Sequence, residues 1–189
     1  MSDQQTRRER KKAATRQAIA DTALRLFLER GYDAVGIREV AQAADVAVTT
    51  VFAHFASKEA LVFDRDQGLQ ERLIRAVTDR APGRTVPQAL REELHAIVRD
   101  LDAPAATSFW ELVASSADLR EYESRMWLRH ADALADALAA ELGRPVTATD
   151  RALARFALSV YPLARDEPDR SAAVDEIMDL VTAAWQAAS

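Results

Sequence analysis

The chain has 189 residues, 49% of them apolar and 29% charged, with five glycines, no cysteine and a formal net charge of −5. Those values leave room for one large domain or two modest ones with a real core, and they exclude disulfides, thiolate metal sites and cysteine nucleophiles. No window approaches the roughly 18 consecutive apolar residues of a membrane helix, and no apolar stretch follows the basic N-terminal segment, so neither a membrane span nor a signal peptide is expected.

The total charge hides an asymmetry. Residues 1–20 carry six basic and two acidic side chains, a balance of +4 that leaves −9 on the remainder. A basic arm on an acidic body points to a nucleic-acid partner. Ala, Leu, Arg, Glu and Asp dominate, all compatible with helix except the last, and no run alternates Val, Ile or Thr with polar residues between turn signals. The expected fold is therefore all-α.

In chain order, the first helix runs from Thr6 or Arg8 to Arg30, with Ile19, Ala23, Leu26 and Phe27 at helical spacing and Gly31 as its left-handed stop. Its first turns hold Arg7, Arg8, Arg10, Lys11 and Lys12. Cations there oppose the helix macrodipole, so helix stability does not call for them, whereas a phosphate backbone would; a solvated leader is the alternative.

Residues 36–58 read as two short helices broken by a tight turn, the arrangement that lays a second helix into the major groove of DNA. Ile37, Val40, Ala41 and Ala44 give the first an apolar face, and Asp45 at the break tolerates a left-handed backbone. Val46, Val51 and Phe55 form the buried stripe of the second. Its other face, Val48, Thr49, Thr50, Phe52, Ala53 and His54, is short-chained and nearly uncharged, which suits base edges and methyl groups.

Ser57 reads as the N-cap of a long helix from Lys58 to Ala81, stopped by Pro82-Gly83 and joining two domains, 1–57 and 58–189. Further helices are expected from Thr85 to Leu101, from Asp102 to Ala117, and from Asp118 to Leu142 before Gly143 and Pro145. Thr147 and Asp150 form a capping box for the next, which Pro162 kinks or ends, and the last covers 169–187. About nine helices result.

His130 falls on the apolar stripe of the long helix, either as a core histidine or as a hydrogen-bonding group in a ligand pocket lined by Trp110, Tyr122, Met126, Trp127 and Phe156. Those side chains fit ordinary core packing equally well. Val174, Ile177, Met178, Val181 and Trp185 form a stripe that, with Leu153, Phe156, Ala157 and Val160, is either internal core or half of a dimer interface. The three histidines, at 54, 95 and 130, share no ligand spacing, and the chain has no Gly-rich phosphate loop or nucleophile elbow. Neither metal, cofactor nor enzymatic activity is expected.

The series Leu26-Phe27, Gly31-Tyr32, Ile37-Arg38, Val40-Ala41, Val46, Val51-Phe52, His54-Phe55 and Ser57-Lys58-Glu59-Ala60-Leu61 resembles the DNA-binding domain of the tetracycline-repressor (TetR) family of bacterial regulators, over residues 13–62. The sequence without a membrane span or apolar leader leads to the expectation of a soluble cytoplasmic protein, and the resemblance implies a homodimer whose last two long helices pair as a four-helix bundle. It implies a small-molecule pocket in the helical body, and release from a palindromic double-stranded operator when that pocket fills. This favours the interface reading of the last stripe. It also implies that Thr50 contacts phosphate or base, that His54 and Lys58 touch the backbone, that Val48, Thr49 and Ala53 choose bases, and that Arg38 contacts phosphate or base.

Three positions depart from the family pattern. Phe52 replaces a tyrosine and loses a hydroxyl contact, Ala47 replaces a serine N-cap at a cost of ~1 kcal/mol, and Asp45 replaces a turn glycine and brings a negative charge near the phosphates. The expected function is a one-component transcriptional regulator, a repressor released by its ligand. The alternatives are a helical protein-interaction module with degenerate DNA binding, or a helical enzyme.

Overall fold

The computed structural model describes residues 3–64 and 66–188, and every regular element among them is helical. Helix α1 spans Asp3–Arg30, and its buried face is the expected stripe of Ile19, Ala23, Leu26 and Phe27. Gly31 ends it at φ +85°, with its amide donating to the Phe27 carbonyl at 2.8 Å. Helices α2 (Ile37–Ala43) and α3 (Val48–His54) follow, joined through Asp45 at φ +53°. That backbone region is open to few side chains other than Asn and Asp, which is why the chain turns there.

The expected continuous helix from 58 to 81 is instead two: α4 (Glu59–Val62) and α5 (Asp66–Thr78). The physical reason lies in Phe63 and Asp64. Phe63 leaves helical geometry at φ −98°, ψ 39° and buries its ring against Phe109 and Tyr122, while Asp64 forms an ion pair with Arg16. Local helix propensity, already weakened by two aspartates, gives way to these contacts.

Next come α6 (Val86–Arg99), a 3-10 turn (Asp100–Asp102), α7 (Pro104–Ser115) and α8 (Ala117–Glu141). They are followed by α9 (Ala148–Leu158), α10 (Val160–Arg165) and α11 (Arg170–Ala188). The expected caps are present: Thr85 and Thr147 each accept from the amide three residues on, at 3.4 Å. The expected interruption near Pro162 falls at Ser159, between α9 and α10, because Pro162 has no N–H to donate to the Leu158 carbonyl and its ring crowds that carbonyl.

The chain forms two units. The first comprises Met1–Arg65 with Ser108–Tyr122, running past the expected boundary at residue 57. The second comprises Asp66–Thr107 with Glu123–Ser189. In the second, α6 packs on α5 and α11, and α11 also packs on α9 and α10. Leu90, Leu94, Leu134, Leu138, Val174 and Met178 form its core. Arg91 pairs with Asp175 (3.0 Å) and Asp179 across the α6–α11 seam, where His95 also meets Asp175 at 3.0 Å.

Candidate nucleic-acid interface

Helix α3 is held by its buried side. Val51 and Phe55 are 0% and 2% exposed, and the Val46 amide donates to the Ala41 carbonyl at 2.9 Å, fixing the turn between α2 and α3. The opposite side faces solvent: Thr49, Phe52 and Ala53 are exposed, with Phe52 at 55%, and Val48, Thr50 and His54 are half-buried. The result is an outward surface of methyls, two rings (Phe52 and the half-buried His54) and two hydroxyls, without a carboxylate. Such a surface can approach base edges and thymine methyls without repelling phosphates.

The departures at Ala47 and Asp45 have visible consequences. Ala47 is the N-cap of α3 and offers no side-chain bond, and Asp45 is exposed at the turn. Helix α2 is better capped: Glu39 Oε2 accepts from the Gly36 amide at 3.0 Å, and Oε1 accepts from Arg30 at 2.9 Å. The Gly36 amide and Arg30 together hold the Glu39 carboxyl below its usual range. Arg38 is exposed on α2, and Arg7, Arg8, Arg10, Lys11 and Lys12 are all exposed along α1.

Lys58 is placed differently from the expected backbone-touching role. Its ammonium donates to the Tyr32 carbonyl at 2.7 Å and lies 3.9 Å from the centre of the Tyr32 ring and 5.6 Å from that of Phe27. Burial lowers its pKa against the opposing pull of Asp33, Glu59 and Asp118. Beside it the Tyr32 hydroxyl donates to Glu59 Oε1 at 2.8 Å, and burial together with Glu59 pushes the phenol's pKa up. Lys58 thus ties the loop after α1 to the start of α4. Lys58→Ala is expected to lower stability by about 1–2 kcal/mol, the worth of one charged hydrogen bond and a cation–π contact. Thermal melting checks this; an unchanged melt together with weakened DNA binding would return Lys58 to a phosphate-contact role.

Arg16 carried no signal in the sequence reading, yet it sits at the C-terminal end of α3. Its guanidinium lies 4.2 Å from the centre of the Phe55 ring, Nη1 donates to the His54 carbonyl, and Nε pairs with Asp64 at 2.8 Å. His54 Nδ1 is buried without a hydrogen-bond partner among the described residues.

The six residues expected around a pocket divide between the units. Trp110 and Tyr122 fall in the first, where Tyr122 stacks on Phe63 at 5.2 Å and Trp110 packs edge-on to Phe109 at 4.8 Å. Met126, Trp127, His130 and Phe156 fall in the second. There Trp127 meets His130 at 5.4 Å and Tyr161, a residue the sequence did not single out, at 4.8 Å. His130 and Met126 are buried, and Trp127 Nε1 is buried with no acceptor among the described residues. Phe156 is 40% exposed, and none of the ring contacts among the described residues includes it.

The stripe read as a dimer face needs a correction. Leu153, Ala157, Val160, Val174, Met178 and Val181 are buried within the single chain, because α11 turns this side onto α6, α9 and α10. Ile177 is half-buried, and Trp185 lines a cleft of about 300 Å³ with Thr85, Pro87, Thr182 and Gln186. The large apolar side chains left exposed on α9, α10 and α11 are Phe156, Leu163 and Leu180.

A short helix set across a tight turn from its partner, buried on one stripe and small-faced on the other, is a helix-turn-helix arrangement. Residues 19–64 match the family described as bacterial regulatory proteins, tetR family. The chain is 33% identical over 91 residues to the HTH-type transcriptional regulator TcmR of Streptomyces glaucescens, a match covering 48% of this chain and 40% of that protein. The chain therefore spans less than half the length of the curated relatives it matches. The crystal structure of a TetR-family transcriptional regulator from Streptomyces coelicolor is 25% identical with a TM-score of 0.57, covering 92% of this chain and 96% of that one. SmeT of Stenotrophomonas maltophilia, in complex with triclosan, shares the fold at 23% identity and a TM-score of 0.58, with 90% and 91% coverage. No helix among the described residues is long and apolar enough to cross a membrane.

Proposed function

We propose that this chain is a cytoplasmic transcriptional repressor without enzymatic activity. It acts as a homodimer on a palindromic double-stranded operator and leaves the operator when a small molecule binds its second unit. The observation that carries the reading is the outward face of α3, whose Thr49, Phe52 and Ala53 stand clear of a fully buried Val51 and Phe55. Arg38 and the α1 cations supply the phosphate contacts that position such a helix without reading sequence. Two half-sites read by two copies of α3 require a two-fold dimer. Phe156, Leu163 and Leu180 are the side chains for its interface.

The effector is an aromatic or apolar molecule with a hydrogen-bond acceptor. The rings of Trp127, His130 and Tyr161 and the buried, unpaired Trp127 N–H support this. SmeT's binding of triclosan supports the same class. A protein-interaction module with degenerate DNA binding is favoured only by the uncapped Ala47 and the acidic Asp45 at the turn.

Selection from a random duplex library, followed by a mobility shift, tests the proposal. One palindromic sequence is expected to be enriched, with affinity falling steeply as salt rises. Replacing Arg7, Arg8, Arg10 and Lys11 by Ala is expected to flatten the salt dependence by roughly one log unit per log salt for each phosphate contact removed, on all sequences alike. No enrichment at low salt by an intact dimer would refute the repressor reading.

A further inference from the structure

Helix α3 has only seven residues, and its N-cap Ala47 makes no side-chain bond. A helix this short does not stand alone in water, and the carbonyls of its last turn have no partners within it. Its geometry must be fixed from outside, and the buried Val51 and Phe55 set its depth better than its angle. Arg16 meets the exposed end. One planar guanidinium donates to the last carbonyl of α3 at His54, covers the Phe55 ring at 4.2 Å and forms an ion pair, out of line for a hydrogen bond, between Nε and the buried Asp64 Oδ1 at 2.8 Å. A cation at a helix C-terminus is favourable in itself, and the rigid fork makes these contacts at once where a lysine could make one at a time. Asp64 directly follows Phe63, whose ring stacks on Tyr122 at 5.2 Å, so the far side of the clasp is anchored as well.

We propose that Arg16 is the positioning residue of α3. It does not touch DNA; it sets the orientation in which Thr49, Phe52 and Ala53 are presented, and Asp64 holds it in the rotamer that does so. The proposal rests on α3 being the DNA-contacting helix, but its first test does not.

That test is amide hydrogen exchange on the full chain, comparing the parent with Arg16→Ala, Arg16→Lys and Asp64→Asn. The Phe55 amide, which donates to the Val51 carbonyl at 2.9 Å, reports the last turn of α3, and the Val40 and Ala44 amides report α2. Exchange at Phe55 is expected to rise about tenfold in both Arg16 variants, the scale of losing a helix cap, with α2 little changed. Unchanged exchange at Phe55 overturns the proposal. If Arg16→Ala fails to fold, Asp64→Asn decides by the same reading, with a smaller rise expected and none overturning it. On a duplex selected by the parent protein, Arg16→Lys is expected to lose about tenfold in affinity at an unchanged salt slope. For Arg16→Ala, a slope shallower by about one would instead make Arg16 a phosphate contact and overturn its positioning role. If the parent selects no duplex, the repressor reading fails while the exchange result still stands on its own.

Discussion

Thr49→Glu or Ala53→Glu is expected to weaken operator binding by at least about a hundredfold while leaving the melting temperature within about 2 °C of the parent. Both residues are exposed on α3, and neither contributes to the stripe of Val51 and Phe55 that holds the helix. Glutamate is as good a helix former as most residues, so the fold has no reason to object. The duplex does: a carboxylate brought into the groove faces phosphates on both sides and forfeits its hydration. Like-charge juxtapositions of this kind cost several kcal/mol. Mobility shifts on the selected duplex, paired with melting curves at one fixed protein concentration, measure the two halves of the expectation. Retained affinity would mean that α3 does not enter the groove. A collapsed melt would mean that its outer face is part of the core.

The same contrast explains which features could be read from the sequence. The turn at Asp45, the stops at Gly31 and Gly143 and the caps at Thr85 and Thr147 are set by residues within four positions of the effect, and each stands where the pattern put it. The stripe under α3 was legible for the same reason, because helical periodicity within one segment names its buried side. What failed to show depends on partners far along the chain. Arg16 is one of several arginines on α1, and nothing near it in sequence distinguishes the one whose guanidinium reaches His54 and Asp64. Lys58 looks like any lysine at a helix start until Tyr32 folds its carbonyl beneath it. Phe63 reads in sequence as one more residue of a long helix, but its stacking with Phe109 and Tyr122 ends that helix. The stripe on α11 names a buried face correctly and says nothing of whether the cover comes from α6 or from a second copy. Here it comes from α6, α9 and α10.

Asp150 bears on the second unit as α3 does on the first. Its side chain is only 1% exposed, yet it is charged and fully partnered: Arg144 grips it with two bonds, at 2.6 and 2.9 Å, and the Thr147 amide and hydroxyl each donate at 2.7 Å. The Arg144 contacts, aided by those from Thr147, hold its carboxyl well below the usual range even though burial alone would raise it. Asp150→Ala leaves Arg144 without its partner and removes half of the capping box of α9. Breaking a buried pair and a cap together is expected to cost about 3 kcal/mol near neutral pH. The effect should carry a pH signature. A carboxyl whose folded pKa is depressed gives stability that is complete above its unfolded value, near 4, and is lost as pH falls toward the folded one. The gap between parent and variant should therefore narrow by about 1 kcal/mol between pH 6 and pH 3. Denaturant unfolding at the two pH values, at constant protein concentration, reads the gap directly. A variant as stable as its parent, or a gap that does not shrink in acid, would mean that the ion pair merely offsets the cost of burying its own charge.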